Sequence, residues 1–239
     1  MNGNKGRLRS TSLLGCLILC AMLLTARIIY LILSDAQRYP VSTVKIGATY
    51  EHIDRKQIEA VLAKYIGESY YTLPIDKLHT DLIALDWADD VEIERIWPDT
   101  LKIAIIEKIP VATWNDALMT SAGELFNVGK GNADTKLPHL SGPAQQQVEV
   151  LQIYQKLSKL LSTYGLHAAS LQLRDNQAWE LSLANGVQLH LGKRDLEQRL
   201  QRFCKAYPAV FADKPEQLFS VDLRYARGMA VQWKQQTER

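Results

Sequence analysis

The sequence is poor in cysteine. Of 239 residues three are Cys, and Cys16 and Cys20 lie inside one apolar run, which leaves Cys204 alone in the rest of the chain. A lone thiol excludes an intrachain disulfide there, so stability has to come from packed cores. Histidine is sparse and scattered. His52, His79, His139, His167 and His190 show no H-x-H, H-E-x-x-H or Cys/His spacing, so no metal and no cofactor is expected. Charge of one sign does not accumulate either: 28 Lys and Arg stand against 26 Asp and Glu, and Lys5, Arg7, Arg9 and Arg27 all sit in or before the apolar run. The remainder is slightly acidic. A nucleic-acid surface needs clustered Lys and Arg, so no nucleic-acid partner is expected. There is no internal repeat and no low-complexity linker.

Catalytic signatures are missing as well. "STVK", Ser42 to Lys45, matches the S-x-x-K of penicillin-binding enzymes, but that chemistry needs the pair one helical turn apart, with K-T-G and S-x-N elements elsewhere. Here the four residues read as a strand. The densest carboxylate group is Asp86, Asp89, Asp90, Glu92 and Glu94. Asp89 and Asp90 fall at a helix-to-strand connection, and Glu92 and Glu94 alternate with apolar residues as one solvated strand face. "GKG" at Gly129 to Gly131 lacks the third glycine of a phosphate loop. The chain is therefore expected not to be an enzyme.

What is present begins with the apolar run. Ser10 to Leu33 is interrupted only by Arg27 and spans roughly 36 Å as a helix, enough to cross a hydrocarbon core of about 30 Å. Residues 11–33 are assigned as a transmembrane helix, with Arg27 snorkelling near its far end. Lys5, Arg7 and Arg9 place residues 1–10 in the cytoplasm as a tail, and everything after Ser34 outside. The run is too long for a cleaved signal peptide and no small-x-small site follows it; "LLGC" at Leu13 to Cys16 has too few apolar residues before the Cys for a lipoprotein box.

Beyond it, 47% apolar and 23% charged residues describe globular chain. "VSTVKIGA" reads as a strand. Asp54 with Gln57 forms a capping-box pattern opening a helix that carries Ile58, Val61, Leu62 and Tyr65 and stops at Gly67. A second helix starts near Pro74 and Asp76 and carries Leu78, Leu82 and Leu85. "VEIERIW" and "LKIAIIE" alternate around "PDT" as a hairpin, with Ile93, Ile96, Leu101, Ile103 and Ile105 as its packing residues and Trp97 and Pro98 fixing its turn. Past Pro110, "VATWND" and "GELFNV" are short strands, and Gln146 to Tyr164 is a helix with Val150, Ile153, Leu157, Leu160 and Leu161 at helical spacing. "WELSL" and "VQLHL" form a hairpin whose Asn185-Gly186 supplies positive φ values. Asp195 to Tyr207 is a helix with Leu196, Leu200 and Phe203, stopped by Pro208. "FSVDLRY" and "MAVQW" close the fold around Ala226 to Gly228. The class is α+β: a first domain at 40–109 ordered strand-helix-helix-strand-strand, then a second at 110–234 with an antiparallel sheet and two helices. The two are expected to abut near Pro110.

"DWADDVEIERIWPDTLKIAIIEKIPVATWND", Asp86 to Asp116, resembles the end of a POTRA domain in the FtsQ/DivIB cell-division family. The similarity continues through "GELFNV", "LPHLSGP", "WELSLANGVQLHLG" and "VDLRYARGMAVQW", and includes the basic tail and single span. It implies a POTRA domain followed by a C-terminal β domain, in a non-catalytic, single-pass scaffold of the bacterial divisome. It also implies an inner-membrane protein, bulk periplasmic, at the division septum. That scaffold would bind FtsB and FtsL, contact FtsK, and link early division components to the septal synthases FtsW and FtsI. Two other classes remain to be weighed: a POTRA protein that assists polypeptide transport, for which the chain is too short to add a barrel, and a cell-wall-modifying enzyme.

Six residues without apolar character follow Trp233, so a final strand at a sheet edge has nothing later to cover it. The resemblance makes that edge the acceptor of a strand from FtsB, with Arg224, Tyr225, Arg227, Gly228 and Trp233 as the partner-binding residues. Tyr225 and Trp233 would be anchors and Gly228 would supply a positive φ or room for the partner's backbone. Arg224 would pair with a partner carboxylate. Arg227 departs from one familiar form of the family, where a small residue precedes this glycine. Against that stands a second arrangement, in which Tyr225 and Trp233 turn into the sheet's own core.

Overall fold

In the computed structural model residues 4–47, 51–126, 137–211 and 215–234 are described. The "GKG" at 129–131, the last two residues of "GELFNV" and the chain after Lys234 lie outside them. The chain divides into two compact units, Met1–Glu107 and Lys108–Arg239.

The first unit opens with helix α1 (Asn4–Leu33). Its Gly15–Leu33 segment has a mean hydropathy of 2.5 and none of it is buried, by length and composition enough to cross a membrane. Strand β1 (Thr43–Gly47), helices α2 (Arg55–Ala63) and α3 (Ile75–Ile83), and strands β2 (Ala88–Ile96) and β3 (Thr100–Glu107) follow, the expected strand-helix-helix-strand-strand order. The capping box forms as read. The Asp54 carboxylate accepts from Lys56 N–H at 3.1 Å and Gln57 Oε1 accepts from Asp54 N–H at 3.2 Å, satisfying N–H groups that the first helical turn cannot. The sheet order is β1-β3-β2, with β1 parallel and β2 antiparallel to the central β3. Leu101, Ile103 and Ile105 alternate inward from β3 and are buried, as are Ile58, Leu78 and Leu82 of α2 and α3. Each such buried side chain contributes about 1.5–3 kcal/mol.

Two readings of β2 need correction. Ile96 is exposed, because period two puts Val91, Ile93 and then Arg95 on the inner face. Arg95 solves its position by reaching out, donating to Leu73 C=O at 2.7 Å and lying 6.0 Å from the Tyr70 ring centre. Asp89 and Asp90 belong to the strand itself, at an irregularity between Ala88 and Asp90, and not to a connection before it.

Glu107, at the end of β3, ties down the segment before α2. Its carboxylate accepts from Ile53 N–H at 2.8 Å, His52 N–H at 3.1 Å and Glu51 N–H at 3.3 Å, and meets His52 Nδ1 at 3.1 Å. The His52 ring stacks on Trp87 at 3.7 Å. Burial alone pushes the Glu107 carboxyl up, but the hydrogen bonds from Ile53, the His52 ring and the other two N–H groups outweigh it and hold it below the ordinary glutamate value.

The second unit runs β4 (Pro110–Trp114), β5 (Ala117–Thr120), β6 (Leu125–Phe126), β7 (His139–Ser141), α4 (Gln147–Ser162), β8 (Ala168–Leu173), β9 (Trp179–Leu183), β10 (Gln188–Gly192), α5 (Leu196–Val210), β11 (Leu218–Asp222) and β12 (Ala230–Trp233). One sheet contains all its strands in the order β12-β11-β10-β9-β8-β7-β4-β5-β6. It is mixed and not antiparallel throughout: β7 with β8 and β10 with β11 are parallel across the crossovers α4 and α5, and β4 with β7 is parallel with β5 and β6 between them in the chain. Both helices lie on one face, against a core that includes Leu140, Leu157, Leu161, Leu171, Leu189, Leu200 and Phe203. The other face carries Gln172, Glu180, Gln188, His190 and Asp222, and no helix covers it among the described residues.

Two local expectations change. The β9–β10 turn uses one positive φ, at Gly186 (87°), and Asn185 instead accepts from Val187 N–H through its side chain at 3.2 Å. Gly186 N–H donates to Leu183 C=O and Leu183 N–H to Val187 C=O, the pattern of a type I turn followed by a left-handed glycine. Helix α5 continues through Pro208 to Val210, since the proline lies on the exposed side of the last turn, where the missing N–H is cheapest to lose.

Candidate partner-binding edge

Among the described residues β12 is the terminal strand of the sheet, hydrogen-bonded to β11 on one side only. Val231 pairs with Val221, and Ala230 with Asp222; an irregularity between Leu218 and Ser220 then brings Trp233 opposite Leu218. Lys234 N–H closes the ladder by donating to Gln217 C=O at 2.7 Å. Along its other side no described residue pairs with the β12 backbone groups. The two faces of β12 differ. Val231 packs on the core, and the Trp233 ring lies 6.1 Å from that of Phe211, at the end of α5. Gln232 and Ala230 point to the polar face, where Ser220 Oγ donates to Gln232 Oε1 at 3.2 Å.

Neither of the two arrangements foreseen for the aromatics describes Trp233 alone. It rests on Phe211, on the helix side, yet stays 43% exposed, while Tyr225 is 57% exposed. Half-docked aromatics beside open backbone have apolar area ready to be covered at little rotamer cost.

The connection from β11 to β12 is longer than a tight hairpin, running from Leu223 to Met229. It is held from α5 by a residue that periodicity did not single out. The Arg202 guanidinium donates to Ala226 C=O at 2.8 Å, Leu223 C=O at 3.0 Å and Tyr225 C=O at 2.8 Å. The available signal was an arginine set beside the apolar stripe of Leu196, Leu200 and Phe203. Its neighbour Arg199 does the same for Leu191 C=O at 2.6 Å, so two arginines one turn apart clamp two strand ends.

Arg224 is already paired within the chain. Its Nη2 meets Asp222 Oδ2 at 2.6 Å and its Nε lies 2.9 and 3.0 Å from the two carboxylate oxygens. Arg224, acting through its side chain and its N–H, holds the Asp222 carboxyl below the ordinary aspartate value against the opposing effect of burial, with His190 adding to it. A partner carboxylate would have to share that guanidinium. Gly228 does not take a positive φ, and a Cβ there would meet nothing within 4 Å. Turn strain therefore does not explain it, and space for an approaching backbone is what remains of its expected role. Arg227 is exposed.

The other sequence candidates are not brought together. Ser42 precedes β1 and Lys45 lies within it. Glu94 pairs with Lys102 at 3.1 Å across the first sheet. His139 meets Thr113 Oγ1 at 2.9 Å and His190 meets Glu180 at 3.0 Å, each in a local contact. Among the described residues no group of three His, Cys, Asp or Glu is placed to hold a metal.

Residues 39–108 match the family model described as POTRA domain, FtsQ-type, and residues 112–224 match the one described as cell division protein FtsQ/DivIB, C-terminal. The second match ends at Arg224, so β12 lies beyond it. Among relatives, the chain is 32% identical over 203 residues to the cell division protein FtsQ of Coxiella burnetii, covering 84% of each chain. It is 35% identical over 202 residues to that of Shewanella oneidensis, covering 84% of this chain and 77% of the other. To that of Alcanivorax borkumensis it is 32% identical over 200 residues, covering 83% and 78%. With both domain types matched in order behind one apolar helix, the chain belongs to the FtsQ/DivIB family of cell-division proteins.

Proposed function

We propose that this chain is a non-catalytic, bitopic scaffold of the divisome, in which β12 accepts a strand from FtsB within the FtsB–FtsL pair. The family supports a role in the divisome through protein–protein contacts. The observation that carries the finer reading is the edge itself: an open backbone ladder flanked by the half-exposed rings of Tyr225 and Trp233. A strand supplied in trans satisfies the N–H and C=O groups and covers both rings. Arg227 and Gly228 contribute an exposed charge and an open approach, and Arg224 contributes what its bond to Asp222 leaves over. In this reading residues 1–10 are cytoplasmic, 11–33 span the inner membrane, and the POTRA domain at 40–109 and the β domain at 110–234 are periplasmic at the septum. The first domain serves recruitment, with contacts to FtsK, and the whole links early components to FtsW and FtsI.

The test measures affinity for an FtsB-derived strand peptide and thermal unfolding on the same purified full-length variants. Tyr225→Ala should lose roughly 2 kcal/mol of binding, about thirtyfold, at unchanged Tm. Trp233→Ala should lose as much binding and some stability too, since Phe211 loses its neighbour. Undiminished binding in Tyr225→Ala overturns the assignment.

A further inference from the structure

The aromatic and apolar residues that the β12 edge leaves unexplained gather at one end of the first unit, the end joined to α1. That junction is hydrogen-bonded. Ser69 Oγ donates to Leu33 C=O, the last residue of α1; Tyr70 N–H donates to Tyr39 C=O at 2.8 Å; and Pro40 forms an isolated bridge with Ser69. Ile66, Gly67 and Glu68 line one hollow with Ala36, Pro40 and Val41, so the α2–α3 connection lies about one turn past the end of the apolar helix. The β2–β3 turn is at the same end, because Ser42, just before β1, donates its N–H to Asp99 C=O at 3.0 Å and β1 runs parallel to β3 from there.

Around this end stand large side chains that packing does not explain. Ile66 is 84% exposed and Trp97 77% exposed. Tyr71 is 38% exposed and meets Tyr39 edge-on, with ring centres 5.1 Å apart. In water such a set is a liability. Beside a helix that leaves the hydrocarbon at Leu33, it is what the interfacial layer selects: Trp and Tyr sit at headgroup level, their rings in the apolar boundary and their polar atoms in water. That layer adds several ångströms to each side of the hydrocarbon core.

We propose that the first unit does not hang free of the bilayer but rests on its outer surface, with Ile66, Tyr71 and Trp97 set in the lipid headgroup region. The occupant of this surface is lipid, because the patch continues the unburied surface of α1 across a hydrogen-bonded junction. The inference rests on the reading of α1 as a membrane span.

Spin labels placed by cysteine substitution in the full chain, in phospholipid vesicles, test it. Cys16 and Cys20 are replaced by Ser; Cys204 is buried, with its thiol pushed up to about 11 by burial, and does not compete for the label. Labels go at Leu23, Ile66, Trp97 and, as an aqueous reference, Ile106, which is 50% exposed on the outer face of β3. Collision with oxygen, which partitions into lipid, is compared with collision with a water-soluble nickel chelate. Leu23 should favour oxygen strongly, and Ile66 and Trp97 should show an oxygen-to-nickel ratio several-fold above that of Ile106. Ile66 and Trp97 matching Ile106 while Leu23 favours oxygen overturns the surface contact and leaves the span standing. Leu23 favouring nickel overturns the span. Ile66 and Trp97 shielded from both probes equally means that protein, not lipid, covers them, and also overturns the proposal.

Discussion

Replacing Arg202 should loosen the candidate edge without touching it. Arg202 holds three carbonyls, of which Tyr225 and Ala226 belong to exposed residues whose bonds water replaces at little cost. Leu223 is fully buried, so the bond to its carbonyl is the one whose loss is felt. A hydrogen bond from a charged donor contributes about 1.5–3 kcal/mol, so Arg202→Ala should destabilise by roughly 2 kcal/mol. For a unit of this size that is a fall of roughly 6–10 °C in Tm. The loop then orders only on binding. Fixing one residue's backbone costs about 1–2 kcal/mol, so affinity for the strand peptide should fall about tenfold through Tyr225 alone. Arg202→Lys is the sharper variant, because an ammonium keeps the charge but cannot span three carbonyls as a planar fork does. Calorimetry, peptide titration and amide exchange over residues 223–230 on the full chain read the three effects. If Arg202→Lys matches the parent in melting, exchange and affinity, the clamp has been misjudged.

Three further outcomes follow from the same geometry. Glu107 is held below its ordinary value of 4.5, so it contributes stability fully above that pH and loses it as pH falls through the lower folded value; Glu107→Gln should cost about 2 kcal/mol at neutral pH and flatten the acid limb of a stability-against-pH curve. An unchanged acid limb refutes the role of the carboxylate. Arg27→Leu should leave division intact in a complementation assay, since the guanidinium lies 5.8 Å from the ring centre of Tyr30 on its own helix; loss of complementation at normal protein level reveals a contact with another helix. Removing residues 41–108 while keeping α1 and the second unit should abolish the midcell band of a tagged chain, and a normal band removes the first domain from recruitment.

Local signals in the sequence were legible and non-local ones were not. Asp54 and Gln57 lie three residues apart and report the start of α2 directly, and the alternation of Leu101, Ile103 and Ile105 reports a strand buried on one side. β7 and β8 were not read, because "HLS" is three residues long and "AASLQL" pairs in parallel with it across the whole of α4. Parallel partners are set by the crossover, which no short window contains. Leu151 was missed on α4 because it stands next to Val150, outside a strict one-face stripe. At the edge, Tyr225, Arg227 and Trp233 were named from the family resemblance of the closing hairpin. Arg202 and Phe211 were not, since what they support lies about twenty residues further along the chain.

The uneven faces of β12 set a grammar for whatever strand joins it. Val231 and Trp233 lean toward the helices, while Ala230 and Gln232 look onto the polar side. A tenth strand inherits that division, so it must alternate, apolar beside Val231 and Trp233 and polar beside Ala230 and Gln232. A slip of one residue exchanges every side chain between oil and water. If the edge takes up a strand as proposed, it reads phase as well as composition: of the two frames in which an alternating peptide can be laid down, it would accept one and refuse the other.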